Sequence, residues 1–272
     1  MNDTLLDNQS QHTSPPYSVS LSESVFDILY ADIEPPKVII PNMLIEGEAT
    51  MLAAHAGGAK TFISQYIAAC VSTGSGCFGA PPSSPLNVLY IDGELSAYQI
   101  QQRFRAIFSD LGYATPTHTL QIMHKQHLQQ VGALPDLATA NGFSSIATDI
   151  NNADVVIIDN LSALCPSADE MTQNAWNIYN HTIDTMRHAG KAVLILHHTD
   201  KNGISYRGHS EIARAVDNVI IAKKDTTLST HNKTVIDLKK TKSRNAPSRE
   251  TFMSITFGDL RYDGGFSMQY RL

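Results

Sequence analysis

The chain has 272 residues, which is long enough for one α/β domain with a sizeable core. Its formal net charge of −6 gives no basic field over the whole surface, so any contact with nucleic acid has to be local. The three cysteines lack metal-ligand spacing and are expected to be free thiols in a reducing cytoplasm. No apolar run reaches transmembrane length, and the polar start lacks the apolar centre of a signal peptide. We therefore expect a cytoplasmic protein with no membrane partner.

Predicted strands and helices alternate through most of the chain. Residues 1–20 are rich in polar residues and proline and are predicted to be disordered, whereas residues 21–272 are predicted to form one domain. The predicted helices are 21–36, 60–74, 97–112, 143–152 and 173–190. The predicted strands are 48–55, 86–93, 120–124, 153–160 and 191–198, followed by antiparallel strands and turns at 216–224, 233–243, 254–260 and 261–266. The earlier strands are almost continuously apolar, which is typical of a mostly parallel sheet covered by helices on both faces.

The stretch MLAAHAGGAKTFIS, residues 51–64, partly follows the phosphate-binding pattern G-x-x-x-x-G-K-[ST]. Lys60 and Thr61 occupy their motif positions, but Ala54 and Ala59 replace the two glycines. The context of strand, small-residue loop and helix is the one in which backbone N–H groups hold phosphate. In such a loop the lysine reaches the outer phosphates and the threonine binds Mg²⁺. The residues predicted to bind nucleotide are His55, Ala56, Gly57, Gly58, Ala59, Lys60, Thr61 and Phe62.

The alanine at position 59 is the main departure from the pattern. It places a methyl group next to the phosphates and asks a non-glycine residue to adopt the loop conformation. Gly57 and Gly58 are expected to supply the flexible positions instead. The alternative interpretation is an ordinary corner between a strand and a helix.

Two acidic residues follow predicted strands and suggest phosphate chemistry. Asp159 ends the apolar run VVIID, where a carboxylate can hold Mg²⁺ together with Thr61; the alternative is a simple strand cap. Glu94, in the segment LYIDGELS, can orient and deprotonate a water molecule that attacks a phosphate. Asp92 is its rival for this role, and an acid favoured by the start of a helix is the alternative reading.

A histidine pair, His197 and His198, ends the predicted strand 191–198 and precedes a polar loop. An imidazole in this position can bond a γ-phosphate and move the following loop. Lys201 and Arg207 in that loop are predicted to contact DNA phosphates. Capping of the strand is the alternative, and a zinc site is disfavoured because no third ligand is evident.

A basic run lies in the last predicted hairpin. Its nearest acids along the sequence are Asp237 and Glu250, so the cations are expected to be unpaired and available to a neighbouring subunit's nucleotide. The alternative is a solvated hairpin tip. The residues of the run are Lys239, Lys240, Lys242, Arg244 and Arg249.

From about residue 22 to its end, the chain resembles the RecA-like hexameric ATPases and, among them, the RepA-type plasmid replicative helicases. The resemblance rests on FDILYADIEPPKVIIPNMLIEGEATMLAAHAGGAKT, STGSGCFG, YIDGE, VVIIDNLSAL, LILHHTDK and YRGHSEIARAVDNVI. It implies a RecA-like P-loop NTPase core, an α/β fold whose mostly parallel central sheet is flanked by helices, with antiparallel C-terminal strands. It also implies roles for individual residues: Glu94 as general base, Asp159 in the Mg²⁺ shell, His198 or His197 as γ-phosphate sensor, and Lys242 and Arg244 as cations that act on the next subunit.

The function implied by this resemblance is that of an ATP- and Mg²⁺-dependent motor. It would form a ring, a hexamer in this family, and translocate on single-stranded DNA as the replicative helicase of a plasmid, phage or mobile element. The loop from His198 to Ser210 would contact the DNA, and a replication initiator or primase would be a partner. Two alternatives stay open: a non-motor ATP-binding regulator, and a RecA-like repair or recombination ATPase with a weakened P-loop.

Overall fold

The computed structural model describes residues 22–113, 119–130, 135–172, 174–244, 251–258 and 268–272. The chain divides into two compact units, Met1–Pro35 and Pro36–Leu272. The segment 1–20, predicted to be disordered, lies outside the described residues.

The described part of the first unit contains one short helix, α1 (Val25–Tyr30). The helix begins at Ser24, whose hydroxyl accepts a hydrogen bond from the backbone N–H of Asp27. The sequence predicted a short helix within 21–36, stopped by Pro35 and Pro36. The helix ends earlier than the prolines require, because the backbone is already extended at Ala31.

The second unit contains the remaining elements, and two of its segments, Asn174–Trp176 and Ser210–Ala213, are short 3₁₀ helices. None of the helices in the described stretches is long and apolar enough to cross a membrane. In chain order the elements are β1 (Val38–Ile40), β2 (Leu44–Ile45), β3 (Ala49–Ala54), α2 (Lys60–Thr73), β4 (Val88–Asp92), α3 (Ala97–Asp110), β5 (Leu120–His124), α4 (Lys125–Gln130), α5 (Ala140–Ser145), α6 (Ala147–Asn152), β6 (Val155–Asp159), α7 (Leu161–Leu164), α8 (Asn177–His188), β7 (Ala192–His198), β8 (Asn218–Lys224), β9 (Thr234–Ser243), β10 (Thr251–Phe257) and β11 (Met268–Arg271).

Nine of the described strands form a single sheet in the order β11-β10-β9-β8-β3-β7-β6-β4-β5. The strands from β8 to β5 in this order are parallel to their neighbours, and β8, β9, β10 and β11 pair antiparallel. This arrangement confirms the predicted fold class. The parallel part is buried on both faces because helices connect its strands, which explains the continuous apolar runs.

The core lies in two layers, one on each face of the sheet, and alternate strand residues belong to different layers. In β7, Leu194 and Leu196 pack in the layer of α2 and α3. Val193 and Ile195 pack in the layer that holds residues of α5, α6 and α8. This alternation decides which face receives each side chain at the strand end. The cysteines are free thiols and all are buried: Cys70, Cys77 and Cys165.

Several predicted elements differ from those observed. The predicted helix 143–152 is split in two at Ile146, which leaves the helical conformation where its side chain enters the core. The predicted helix 173–190 begins later, after a 3₁₀ turn. The predicted strand 254–260 ends at Phe257, and the one at 261–266 lies outside the described residues. The short elements β1, β2, α4, α7 and β11 were not predicted, because they are too short to repeat a helix or strand pattern several times.

Candidate nucleotide-binding site

Four neighbouring strands, β3, β7, β6 and β4, end at the same edge of the sheet. The loop of residues 55–59 follows β3, and His198 ends β7. Asp159 ends β6, and Asp92, two residues before Glu94, ends β4. Parallel strands bring their carboxyl ends together, and the structure therefore collects residues predicted from four distant segments at one edge.

The loop after β3 contains two residues with positive φ, Gly57 and Ala59. Ala59 adopts a left-handed conformation, with φ 59° and ψ 9°. Gly57 has φ 76°, as expected for a flexible position. A Cβ on Gly58 would lie 2.8 Å from Cβ of Ala54 and 2.9 Å from the carbonyl oxygen of His55. The expectation that Gly57 and Gly58 supply the flexible positions instead of position 59 is therefore wrong in part. Gly57 has a positive φ, but Ala59 itself takes the left-handed conformation.

The start of α2 is suited to an anion. Ala59 stands at its N-cap and makes no side-chain hydrogen bond to the helix, so the first N–H groups have no side-chain cap. Lys60, the first helical residue, is only 5% exposed. Phe62 turns its ring into the core against Phe257, so that only its backbone faces the loop end of the helix. Ala56 is exposed. An uncapped helix start beside a buried ammonium group fits the phosphates of a nucleotide.

Asp159 lies between two hydroxyl groups. Thr61 donates a hydrogen bond to its Oδ1 at 3.3 Å, and Tyr90 donates one to its Oδ2 at 2.7 Å. Burial raises the pKa of Asp159 to about 6, although these two hydrogen bonds act in the opposite direction. The threonine hydroxyl and the carboxylate are hard oxygen donors of the kind Mg²⁺ takes. This donor set fits the predicted Mg²⁺ ligands.

Tyr90 was not predicted from the sequence. It is fully buried in β4, and its hydroxyl also shares a 2.8 Å hydrogen bond with Ser64 of α2. The tyrosine therefore joins the first helix of the loop to the carboxylate of Asp159. Its signal in the sequence was a hydroxyl-bearing residue two positions before Asp92, on the same face of a buried strand, where a buried hydroxyl needs a partner.

Asp92 and Glu94, the two candidates for the base, are in different environments. Asp92 is fully buried, and its Oδ1 accepts hydrogen bonds from the N–H groups of Glu94 and Leu95 at 2.9 and 2.7 Å. Burial raises the pKa of Asp92. Glu94 is exposed at the turn that this carboxylate holds together. The geometry therefore favours Glu94 for contact with a water molecule and gives Asp92 the task of fixing the turn.

Asn160, which follows Asp159 through a cis peptide bond, was also not predicted. Its side chain is fully buried and caps α7, with Oδ1 accepting a hydrogen bond from the N–H of Ala163 at 3.0 Å. Its Nδ2 donates to Oε1 of Glu94 at 2.5 Å and lies 3.5 Å from Nε2 of His198. Asparagine after a strand is an ordinary helix cap, so the contact with Glu94 could not be predicted from the residue type.

The two histidines at the end of β7 lie on opposite faces of the sheet. His197 is fully buried, and its Nε2 lies 2.8 Å from the carbonyl oxygen of Arg207. Burial lowers the pKa of His197 to about 4. His198 is half-buried at the nucleotide edge, and burial followed by the charge of Lys60 lowers its pKa. Of the two predicted sensors, His198 is the one that faces the P-loop residues, and His197 supports the backbone of the next loop.

The loop after β7 is an ordered hairpin rather than an open strand connection. Thr199 and Tyr206 form an antiparallel bridge, and the turn between them carries Lys201, which is exposed. A Cβ on Gly203 would lie 3.0 Å from Nε2 of His55, so the hairpin touches the P-loop directly. The hairpin is therefore in contact with the nucleotide edge at its tip and at its base.

Arg207, predicted to contact DNA, has partners within the subunit. Its Nε and Nη2 donate to the two carboxylate oxygens of Glu170 at 2.7 and 2.9 Å, and Nη2 also donates to Ser162 at 3.2 Å. The hydrogen bonds from Arg207 lower the pKa of Glu170 to about 2. The guanidinium group is thus occupied in holding the hairpin base, while Lys201 projects from its turn.

The late basic residues lie at the opposite edge of the sheet. Lys242 pairs with Val219 near the start of β8, and its Nζ donates to the carbonyl oxygens of Ala213 and Val216 at 2.7 Å each. Arg244 bonds Asp217 at 3.2 Å. The expectation that these cations are unpaired is therefore wrong, because the partner acid is distant in sequence. The predicted Arg249 lies outside the described residues.

These features define the class of protein. A P-loop after the central strand, an acid ending the strand two places along the sheet, and a parallel sheet extended by antiparallel strands are the RecA-like P-loop NTPase fold. A KaiC-like protein from the hyperthermophilic archaeon Pyrococcus horikoshii has a similar fold, with a TM-score of 0.53 and 12% identity, over 86% of this chain and 97% of that chain. At this identity the likeness concerns the fold alone.

The family is given by a profile comparison. The profile of the AAA domain matches residues 15–203, and the chain belongs to this family. The matched range contains the P-loop, Glu94, Asp159 and His198, and ends before Arg207. No curated protein matches the sequence.

Proposed function

We propose that the chain is an ATP hydrolase that forms a ring, a hexamer by its resemblance, and moves along single-stranded DNA as the replicative helicase of a plasmid, phage or mobile element. The observation that carries the proposal is the direct connection of one hairpin to the nucleotide edge. His198 ends the strand beside Lys60, and the hairpin that begins at the next residue presents Lys201 to solvent.

In the proposed reaction, the chain binds ATP through the uncapped start of α2 and the ammonium group of Lys60. Thr61 and Asp159 would hold Mg²⁺, which would offset the negative charge of the phosphates. Glu94 orients a water molecule and accepts its proton as the water attacks the γ-phosphate, while the bond from the γ-phosphorus to the bridging oxygen breaks and ADP leaves. His198 contacts the γ-phosphate. When the phosphate leaves, the contact is lost at the end of β7, where the hairpin begins.

The proposed contacts with DNA are local because the chain is acidic overall. Lys201 offers one cation at the exposed turn, and six copies around a channel would supply enough phosphate contacts for a steep dependence on salt. Arg207 supports the hairpin through Glu170 and contributes to DNA binding only when that ion pair opens. Lys242 and Arg244 would act on the nucleotide of the neighbouring subunit, and a replication initiator or primase would load the ring.

A second candidate is a non-motor ATP-binding regulator. Two observations favour it: the strained Ala59 in the P-loop, and the ion pair that occupies Arg207 within its own subunit. A RecA-like repair or recombination ATPase would also share the described edge. These alternatives differ from the first in whether DNA accelerates hydrolysis and whether hydrolysis drives strand separation.

The deciding experiment is ATP hydrolysis by the purified chain with and without single-stranded DNA, followed by a strand-separation assay. We expect hydrolysis to increase with DNA and duplex to be unwound, and Lys60→Ala to lose nucleotide binding because the phosphate-facing charge is gone. Hydrolysis that ignores DNA would support the regulator. Normal ATP affinity in Lys60→Ala would place the nucleotide elsewhere.

The hairpin is tested separately by charge reversal. Lys201→Glu is expected to lose binding to single-stranded DNA while keeping its hydrolysis without DNA, because the turn is outside the P-loop. Lys125→Glu, an exposed lysine of α4, is the matched control and should bind DNA as the parent does. Equal DNA affinity for both variants, with no dependence on salt, would contradict the hairpin as a DNA contact.

A further inference from the structure

Asn160 has a side chain whose orientation is fixed by its partners. Only the amide oxygen can accept the hydrogen bond that the backbone N–H of Ala163 donates. This bond directs the amide nitrogen towards Glu94. The nitrogen donates to Oε1 of Glu94, and Nε2 of His198 lies near enough to accept a hydrogen bond from the second N–H when that nitrogen of a neutral ring carries no hydrogen. Burial lowers the pKa of His198 and so favours the neutral ring. Both ends of the amide therefore have defined tasks.

Glu94 needs such a partner because its backbone alone does not fix its carboxylate. The residue is exposed, and its side chain has three rotatable bonds. Asp92 fixes the turn only through backbone N–H groups. Asn160, in contrast, is fully buried between a core strand and a helix that it caps. A hydrogen bond from this rigid point engages Oε1 and leaves Oε2 as the oxygen that can take a proton from water.

We infer that Asn160 is a positioning residue for Glu94: its amide holds the carboxylate beside His198 in one rotamer, at the place where the base is needed. The inference rests on the proposed function, in which Glu94 is the base. It assigns to a helix-capping residue a second task at the turn after the neighbouring strand β4. Displacement of a reacting group by about 1 Å can cost about 100-fold in rate, which makes the position of a carboxylate on an exposed turn consequential.

The test uses substitutions that keep the helix cap. Asn160→Ser and Asn160→Asp retain an oxygen that can cap α7, and both lack the amide nitrogen. We expect kcat to fall about 10- to 100-fold in both, with ATP affinity within about 2-fold of the parent. Thr139→Ala is the matched control, because it removes the cap of another helix, α5. The hydroxyl of Thr139 accepts a hydrogen bond from the backbone N–H of Gly142. That control should melt earlier without a comparable loss of kcat.

A double variant separates positioning from a structural effect. Glu94→Gln alone should lower kcat by about 100-fold or more, because the amide cannot accept the proton. Adding Asn160→Ser to Glu94→Gln should then lower kcat by less than about 2-fold, since no base remains to be positioned. Losses that multiply in the double variant would overturn the inference, because Asn160 would be acting independently of Glu94.

The two proposals fail in different ways. If Glu94→Gln hydrolyses ATP at the parental rate, the role of Glu94 as base is wrong and the inference falls with it. If Glu94→Gln is inactive while Asn160→Ser and Asn160→Asp keep the parental kcat, the base stands and the positioning role of Asn160 is refuted. A rise in kcat in both Asn160 variants would also refute it, because the amide would then restrain Glu94 away from its working position.

Discussion

The left-handed conformation of Ala59 can be tested by measuring the free energy of unfolding and the ATP turnover of Ala59→Gly. Its φ of 59° is one that glycine adopts freely and an L-residue with a Cβ does not. Ala59→Gly restores the residue type that the phosphate-binding pattern has at this position. We expect the variant to relieve strain in the loop and to keep or exceed the parental ATP turnover, since a methyl group beside the phosphates is removed.

The magnitude follows from three contributions. A left-handed alanine costs about 1–2 kcal/mol. Loss of the half-buried methyl group, which packs against the core, destabilises the variant by about 0.4 kcal/mol, half of the value for a fully buried methylene. The added freedom of glycine in the unfolded chain destabilises it by a further amount of roughly 0.4–1 kcal/mol. The net gain in the free energy of unfolding is therefore about 0.4 kcal/mol, which is too small to interpret alone.

A neighbouring alanine makes the measurement decisive. Ala56 is exposed in the same loop and is not among the described residues with positive φ. Ala56→Gly adds the same freedom to the unfolded chain but relieves no strain, so the two variants should differ by about 1 kcal/mol, or roughly 2–4 °C in Tm. Thermal and urea unfolding measure this difference. If Ala59→Gly is as unstable as Ala56→Gly, or loses ATP turnover, the left-handed assignment and the alignment of the loop are wrong.

Two further predictions concern the far edge of the sheet and the buried histidine. Arg244→Ala should lower ATP turnover while ATP binding persists, and mixing it with Lys60→Ala subunits should recover activity at interfaces that keep both residues intact; no recovery in mixtures shown to co-assemble would contradict a shared site. The free energy of unfolding should fall by roughly 3 kcal/mol through His197 as the pH drops from about 6.5 to its pKa of about 4, because the unfolded imidazole binds a proton that the buried ring does not. His197→Gln should remove this part of the pH dependence and the exposed His231→Gln should not; identical pH profiles for the parent and both variants would refute the argument.

Much of the fold could be predicted because its signals are local. The apolar runs that became β3, β4, β6 and β7 have no alternation, which required a sheet covered on both faces. Gly74 was expected to end α2, and it does so in the left-handed conformation, with φ 73°. Local patterns could not predict the order of the strands in the sheet, since β7 lies between β3 and β6 although it follows both in the chain.

The candidate site shows the same division. Lys60, Asp159 and Glu94 could be proposed from the sequence because each ends or follows a recognisable strand, and the parallel sheet brings strand ends together. The sequence alone could not decide which of the adjacent residues His197 and His198 faces the P-loop. It depends on which face of β7 meets α2, and therefore on packing.

Partners that join distant segments were decided by the tertiary structure alone. Arg244 was expected to be free because its sequence neighbours offer no acid, yet Asp217 on the adjacent strand end pairs with it. Asn160 resembled any helix cap until β4 brought Glu94 within hydrogen-bonding distance. A sequence records each residue's own preference for strand, turn or cap, whereas hydrogen bonds and ion pairs depend on which side chains the strand order brings to the same edge.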